Sequence, residues 1–188
     1  MANIDKHGFW KGESIKSEHA HDPKLSKALV KFIKYENVES IVDLGCGLGN
    51  YVKYFIENGI NAEGYDGNPD TGLLTNHLCK VADLSQPVNF IKPFSWVLSL
   101  EVGEHIPKKF ENTFINNLHL NNVKGIILSW AIKGQRGYGH VNTQNNNYIK
   151  DKICKLGYIN DIKLEKKLRK KSKLKWFKKT IMVFRKKI

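Results

Sequence analysis

Apolar positions in this chain fall into two alternating patterns. Short, nearly continuous apolar runs predict buried strands at 40–44, 60–65, 80–82, 96–100 and 125–130. Between them, apolar residues recur every three or four positions and predict helices at 25–33, 50–58, 108–118 and 143–156. Because strands alternate with helices, we expect an α/β fold with a doubly wound, mostly parallel sheet covered by helices on both faces.

The two ends of the chain fit one domain spanning 1–188, with no repeat or linker. Asp22 and Pro23 are typical of the start of a helix, as N-cap and first-turn residue, so we interpret 1–35 as a flap and a capping helix. Near the other end, the pattern predicts a short strand around Ile159, a basic helix and a final strand at 180–184.

The charge of the chain is concentrated near its end. The net charge is +13, and 161–188 contains 13 Lys or Arg residues but 2 acidic ones. Such a segment is able to bind nucleic acid or anionic lipid. Leu164, Leu168, Leu174, Trp176 and Phe177 are interspersed among the lysines, which favours a packed amphipathic element with a solvated face. A nucleic-acid partner remains an open alternative.

Composition argues against several other classes of protein. Cys46, Cys79 and Cys154 form no Cys-x-x-Cys pair, which is typical of reduced thiols rather than of a disulfide framework or a zinc site. No apolar run reaches the length of a membrane span, and 1–7 contains no signal-peptide core. His19 and His21 are close enough for a metal pair, but no partner cluster follows them, so we expect a cytoplasmic protein without a metal.

The most specific local pattern is a strand that ends in the glycine turn Gly45-Cys46-Gly47-Leu48-Gly49. Glycines allow a sharp turn and a close approach to a ligand, although the same turn also occurs as a plain strand-to-helix connection. Asp66 follows the second strand, about 20 positions after the turn. That spacing is typical of a carboxylate that binds the hydroxyls of a ribose, so both patterns together favour a nucleotide-like ligand.

Reactive side chains follow the fourth and fifth predicted strands. Glu101, Glu104 and His105 come directly after the fourth strand. His105 is our first candidate for a general base, since imidazole titrates near neutral pH, and its alternative is a histidine bonded to backbone at a helix start. The polar loop 134–142 follows the fifth strand and contains a rival base, His140; its alternative is a mobile surface loop.

Together these residues resemble class I S-adenosylmethionine-dependent methyltransferases of the small, stand-alone type. The resemblance rests on Val42-Asp43-Leu44-Gly45-Cys46-Gly47-Leu48-Gly49, Asp66, Ala82-Asp83-Leu84 and Glu101-Val102-Gly103-Glu104-His105-Ile106. It implies a Rossmann-like sheet of seven strands, with the last strand antiparallel and inserted between two others. It also implies S-adenosylmethionine as cofactor, with S-adenosylhomocysteine as product and no metal.

The same resemblance implies a role for each matching position. The methionyl end of the cofactor is expected at Asp43, Gly45, Cys46, Gly47 and Gly49. The ribose is expected at Asp66 and Gly67, and the adenine at Asp83 and Leu84. Glu101 is expected beside the cofactor. One departure concerns the adenine, because Gly67-Asn68 stand where the family often has an apolar residue.

The implied reaction transfers a methyl group to a small polar acceptor, such as a sugar or metabolite hydroxyl. Candidate catalytic residues are His105, Glu101, Glu104 and His140, and candidate substrate-binding residues are Trp130, Gln135, Arg136, Tyr138, His140 and Asn142. Methylation of RNA or protein through the basic segment is an alternative. Further alternatives are a protein that binds the cofactor without catalysis and one that cleaves it. No oligomeric state is predicted.

Overall fold

The computed structural model describes residues 3–12, 15 and 19–187. The strands are β1 (Ile41–Leu44), β2 (Ala62–Asp66), β3 (Lys80–Val81), β4 (Phe94–Ser99), β5 (Asn122–Leu128), β6 (Tyr158–Asn160) and β7 (Met182–Lys186). They form one sheet in the order β3-β2-β1-β4-β5-β7-β6. Strands β1 to β5 pair in parallel, whereas β7 lies antiparallel between β5 and β6. This arrangement confirms the predicted mostly parallel sheet with an inserted antiparallel strand.

Helices cover both faces of the sheet. They are α1 (Pro23–Tyr35), α2 (Asn50–Glu57), α3 (Thr71–Leu74), α4 (Glu111–Leu120), α5 (Asn146–Lys155), α6 (Ile162–Lys171) and α7 (Phe177–Thr180). One core contains side chains of α1, α2 and α6 around Trp96, and the other contains side chains of α4 and α5 around Trp130. Among the described residues, no helix has the length and apolar character needed to cross a membrane.

The structure corrects several predicted boundaries. Thr180 ends helix α7 rather than starting the last strand, because its backbone N–H donates to the carbonyl of Trp176. Strand β5 runs over Asn122–Leu128 and not over 125–130. Helix α5 begins at Asn146, since the N–H of Gln144 is bonded to the carbonyl of Ala131. A 3-10 turn, Lys108–Phe110, precedes helix α4.

Asp22 connects the start of helix α1 to the segment that follows α6. Its carboxylate is completely buried. One oxygen accepts the N–H groups of Lys24 and Leu25, as expected for an N-cap. The other oxygen accepts the N–H groups of Lys173 and Leu174, at 2.6 and 2.9 Å. A single side chain therefore positions 172–174 beside α1, next to the carboxyl ends of the central strands.

Candidate functional site

The glycine turn leaves β1 with its backbone in the left-handed region at three positions. The φ angles of Gly45, Gly47 and Gly49 are 86°, 54° and 69°. A Cβ at Gly45 would collide with Val102, and one at Gly47 would collide with the ring of His19. Glycine is therefore required here both by backbone conformation and by space. Gly45 faces the cleft, whereas Gly49 is the N-cap residue of α2 and packs against Cys79.

Two carboxylates flank this turn. Asp66, at the end of β2, accepts the N–H of Gly47 with one oxygen and the N–H of Asn68 with the other, each at 2.9 Å. Asp43 is buried at the end of β1. Its burial, together with Cys79 and Asp66 nearby, holds the pKa of its carboxyl well above the usual value. A cationic ligand group beside Asp43 would offset that cost.

The segment 3–12 lies across the same edge of the sheet. Nδ1 of His7 is 2.7 Å from a carboxylate oxygen of Asp83. The side chain of Phe9 packs directly on Gly67, at a site where a Cβ would collide with it. Sequence reasoning did not identify His7 or Phe9 as site residues. The unusual glycine at position 67 was the available signal, because it makes room for an aromatic ring from elsewhere.

Two connected cavities occupy this edge. The first has about 440 Å³, including its opening, and is lined by Gly8, Phe9, Trp10, His19, Gly45, Asp66, Gly67, Asp83, Leu84, Glu101, Val102, His105 and Ile106. The second has about 950 Å³, including its opening, and is lined by Trp10, His19, Ala20, Asp43, Gly45, Cys46, Tyr51, Leu100, Glu101, His105, Gln135, Arg136, Gly137, Tyr138, His140, Trp176 and Phe177. The two cavities meet where they share lining residues, which are Trp10, His19, Gly45, Glu101 and His105.

Glu101 is held rigidly where the cavities meet. It has a φ of 54°, a left-handed conformation that is uncommon for a residue with a side chain and typical of functional sites. Its carboxylate accepts hydrogen bonds from Ser129 at 2.8 Å, Gln135 at 3.1 Å and Thr180 at 3.3 Å. Burial raises the pKa of this carboxyl, although the hydrogen bonds oppose the shift. The side chain is thus fixed from three different segments.

Glu104, His105 and His140 converge beside Glu101. One possible ligand atom from each of the three lies within 4.8 Å of the others, a grouping able to hold a metal ion. Burial and the nearby charge of Glu101 raise the pKa of Glu104 well above its usual value. Burial, and then His140, lower the pKa of His105 to about 4. His105 is therefore a neutral imidazole at pH 7, and a weaker base than the sequence led us to expect.

The polar loop after β5 divides into exposed and buried parts. Gln135, Arg136, Tyr138 and His140 line the second cavity. Trp130 and Asn142 do not, contrary to our expectation of substrate contact. Trp130 is completely buried and donates to the carbonyl of Asn142 at 2.6 Å, and the Asn142 amide donates to Glu111 at 3.0 Å. Both side chains support the loop from behind.

The basic segment is packed through its apolar residues, as its pattern predicted. Leu164, Leu168 and Phe177 are buried, and Leu174 and Trp176 pack against the same core. Trp176 and Phe177 also line the second cavity. The lysines around them are exposed, namely Lys173, Lys175, Lys178 and Lys179. Positive charge therefore surrounds one wall of this cavity.

His19 and His21, which the sequence offered as a possible metal-binding pair, lie in different environments. The His19 ring lies over Gly47 and lines both cavities. The His21 ring is bonded to Ser26 at 2.8 Å and packs edge-on against Tyr51. The grouping able to hold a metal among the described residues includes neither of them.

Comparison with solved structures shows that the chain has the fold of class I S-adenosylmethionine-dependent methyltransferases. It is similar to magnesium protoporphyrin IX methyltransferase from Synechocystis PCC 6803 with bound S-adenosylhomocysteine, at 14% identity and a TM-score of 0.67, over 86% of this chain and 82% of that one. It is also similar to the methyltransferase domain of bacterial CtHen1-C, at 15% identity and a TM-score of 0.61, over 88% and 98%.

A third similar structure is CalS10 from Micromonospora echinaspora, an amino pentose methyltransferase with bound S-adenosylmethionine. Identity is 10% and the TM-score is 0.65, over 86% of this chain and 90% of that one. No protein-family model matches the chain, and a search of curated proteins finds no match.

Proposed function

We propose that this chain, which has the class I methyltransferase fold, transfers a methyl group from S-adenosylmethionine to a hydroxyl oxygen of a small polar acceptor, of which a sugar is the best candidate. The observation that carries the proposal is the pair of cavities that meet at Glu101 and His105. The first cavity presents the glycine turn and two carboxylates to a nucleoside, and the second presents polar side chains to an acceptor. The methyl group of a cofactor in the first cavity would then face an acceptor in the second.

The residues around the first cavity fit the cofactor. The turn at Gly45 and Gly47 offers a backbone without Cβ atoms, and buried Asp43 gains a counter-charge from an ammonium group. Asp66 and Asp83 supply carboxylate oxygens for the ribose hydroxyls and the adenine amino group, and Phe9 supplies an aromatic face over Gly67. When bound, the cofactor supplies a methyl group already activated by its sulfonium.

The chain itself then has to align the acceptor and to remove a proton. The acceptor oxygen forms a bond to the methyl carbon as the carbon–sulfur bond breaks, and its own proton must leave. The imidazoles of His105 and His140 face this point with ring centroids 5.1 Å apart. They promote loss of the proton either by accepting it directly or by holding a cation that polarises the hydroxyl. Gln135, Arg136 and Tyr138 are proposed to orient the acceptor.

Titration calorimetry with S-adenosylmethionine tests the cofactor site. Asp66→Asn removes the charge that two ribose hydroxyls require, and we expect at least tenfold weaker binding. The matched control is Glu63→Gln, since Glu63 lies on the same strand but is bonded to Lys80 at the surface. Equal affinity of Asp66→Asn and the unaltered chain would exclude this cofactor site.

Incubation with isotope-labelled cofactor and separate pools of sugars, nucleosides, proteins and RNA tests the acceptor. We expect label in a sugar hydroxyl. Label found in cofactor fragments alone would favour a cleavage reaction, and binding without any turnover would favour a protein that only binds the cofactor. Labelled protein side chains would contradict the proposed acceptor class.

RNA is the second candidate acceptor, and the exposed lysines beside Trp176 and Phe177 favour it. They border the wall of the second cavity, where a polyanion would pass. The charge reversals Lys175→Glu and Lys178→Glu should then reduce RNA labelling, most strongly at low salt. Lys92→Glu and Lys124→Glu serve as controls, because Lys92 and Lys124 are exposed near the opposite edge of the sheet. Equal effects of both pairs would argue against RNA.

A further inference from the structure

Three side chains from two distant segments form a compact group at the junction of the cavities. Glu104 and His105 follow β4, and His140 belongs to the loop after β5. Their possible ligand atoms lie within 4.8 Å of one another. Ligands held at about 2.0 to 2.4 Å from one cation are separated by at most about 4.8 Å. The three groups are thus already close enough to share an ion.

The carboxylate of Glu104 is buried beside that of Glu101. The residue is completely buried, and neither of its oxygens has a hydrogen-bond partner within the part of the chain that the structure describes. A buried carboxylate without a partner is costly, and such groups are rare in native proteins unless they bind something. The neighbouring Glu101 is different, since Ser129, Gln135 and Thr180 all donate to it. A cation bound beside Glu104 would offset the cost of burying this carboxyl next to that of Glu101.

Both imidazoles are oriented in a way that suits a metal. Nδ1 of His105 lies 3.2 Å from the carbonyl oxygen of Gly139, and Nδ1 of His140 lies 3.1 Å from that of Gln135. A carbonyl oxygen only accepts, so each Nδ1 carries the proton and each Nε2 keeps its lone pair. In metal-binding histidines, the ring nitrogen that does not bind the metal usually donates to a backbone carbonyl or a carboxylate.

We propose that Glu104, His105 and His140 bind one divalent transition-metal cation, in the series from Mn²⁺ to Zn²⁺. A set of two imidazoles and one carboxylate favours these ions over calcium, which takes only oxygen, and over thiol-bound metals. Three protein ligands leave coordination positions open towards the second cavity, as in catalytic metal sites. Sequence spacing did not suggest the cluster, because its members come from separate loops.

In the proposed methyl transfer, the cation would promote loss of the proton from the acceptor hydroxyl. In this respect the inference rests on the proposed function. A hydroxyl oxygen is a hard ligand that fits an open position on such an ion. Coordination lowers the pKa of the hydroxyl, so that its proton passes to water at the mouth of the cavity and the oxygen becomes a better nucleophile. The same position also fixes the oxygen relative to the junction of the two cavities.

Binding of Mn²⁺ tests the site without reference to catalysis. The protein is freed of metal with a chelator and titrated with MnCl₂, and free Mn²⁺ is measured by electron paramagnetic resonance. We expect one equivalent to bind, and His140→Ala and Glu104→Gln to weaken the affinity by about 10- to 100-fold or more. His119→Ala is the matched control, because His119 is a partly buried histidine bonded to Tyr158 and lies apart from the cluster.

Two further measurements keep the outcome unambiguous. Circular dichroism establishes that each variant is folded. The absorption spectrum of Co²⁺ bound to His140→Asn reports the loss of one nitrogen ligand, even where this variant still binds the metal. Absence of stoichiometric Mn²⁺ binding, or unchanged affinity in both His140→Ala and Glu104→Gln, would overturn the proposal. Mn²⁺ binding without methyl transfer would contradict the proposed function alone, whereas transfer undiminished by chelator and without Mn²⁺ binding would contradict the metal site alone.

Discussion

Nδ1 of His7 lies 2.7 Å from a carboxylate oxygen of Asp83, which joins the segment 3–12 to the turn that follows β3. Both side chains are only about a quarter exposed. The contact closes the first cavity on one side, since Gly8 and Phe9, which follow His7, line its wall. A ligand in this cavity is therefore covered by a segment that one polar contact helps to hold in place.

The substitution His7→Ala should accelerate release of S-adenosylmethionine. Loss of one partly exposed hydrogen bond to a carboxylate costs about 1 kcal/mol, which corresponds to about fivefold faster dissociation. Stopped-flow measurements of Trp fluorescence provide the rate, since Trp10 also lines the cavity. Lys6→Ala is the control, because Lys6 is exposed. Tighter binding by His7→Ala would instead mean that His7 competes with the ligand for Asp83.

Phe9→Ala should weaken cofactor binding. The ring packs on Gly67 in the first cavity, and its removal takes away an apolar surface worth about 1.5 kcal/mol, or roughly tenfold in affinity. Phe9→Leu keeps an apolar side chain and should lose less. Calorimetry of the two variants separates the contribution of the aromatic face from that of apolar contact. Wild-type affinity in Phe9→Ala would remove Phe9 from the proposed site.

Asp22→Ala should lower the free energy of unfolding by about 2 to 4 kcal/mol. The change leaves four backbone N–H groups, two at the start of α1 and two at Lys173 and Leu174, without their acceptor. Asp22→Asn keeps one acceptor oxygen and should cost about half as much. Urea unfolding followed by circular dichroism measures both variants. A loss below about 0.5 kcal/mol in Asp22→Ala would show that water replaces the carboxylate.

Glu111→Gln should destabilise the protein most at neutral pH and progressively less as the pH falls below 4.5. Burial alone would raise the pKa of Glu111, but hydrogen bonds from Lys108, Tyr148, Lys152 and Asn142 outweigh it and lower the pKa from 4.5 to about 2. A lowered pKa stabilises the folded state fully above pH 4.5, and this contribution is lost as the pH falls towards 2. We expect a loss of about 2 kcal/mol at pH 7.

Urea unfolding of the unaltered chain and of Glu111→Gln at pH 7 and at pH 3 checks this window. The difference between the two proteins should shrink on acidification. Glu57→Gln is a surface control without an effect at either pH, since Glu57 is exposed. A difference that is the same at both pH values would mean that geometry, and not charge, accounts for the effect of Glu111.

The fold could be predicted because it follows from local patterns. Strands buried on both faces require apolar runs, and the glycine turn requires residues that tolerate a left-handed backbone, so both are visible in the sequence. The capping role of Asp22 was predicted and is confirmed. Its second pair of hydrogen bonds, to Lys173 and Leu174, could not be predicted, since nothing local indicates which distant backbone reaches it.

The candidate site was predictable only in part, because local sequence patterns do not indicate which distant segments meet. The residues that follow β1, β2 and β4 come together because parallel strands end at one edge. His7 and Phe9 arrive from a segment without a regular pattern, and His140 meets Glu104 through the path of a loop. Trp130, two residues beyond the end of β5, is buried in the core and lines neither cavity, which its place in the sequence did not indicate.

The position of β7 has a consequence for synthesis of the chain on the ribosome. This strand pairs with β5 on one side and β6 on the other, yet it follows both of them in sequence. Until 182–186 emerge, β5 has an open edge and β6 has no neighbour in the sheet, so a nascent chain exposes unpaired strands. Completion of the sheet is therefore a late, long-range event in the folding of this chain.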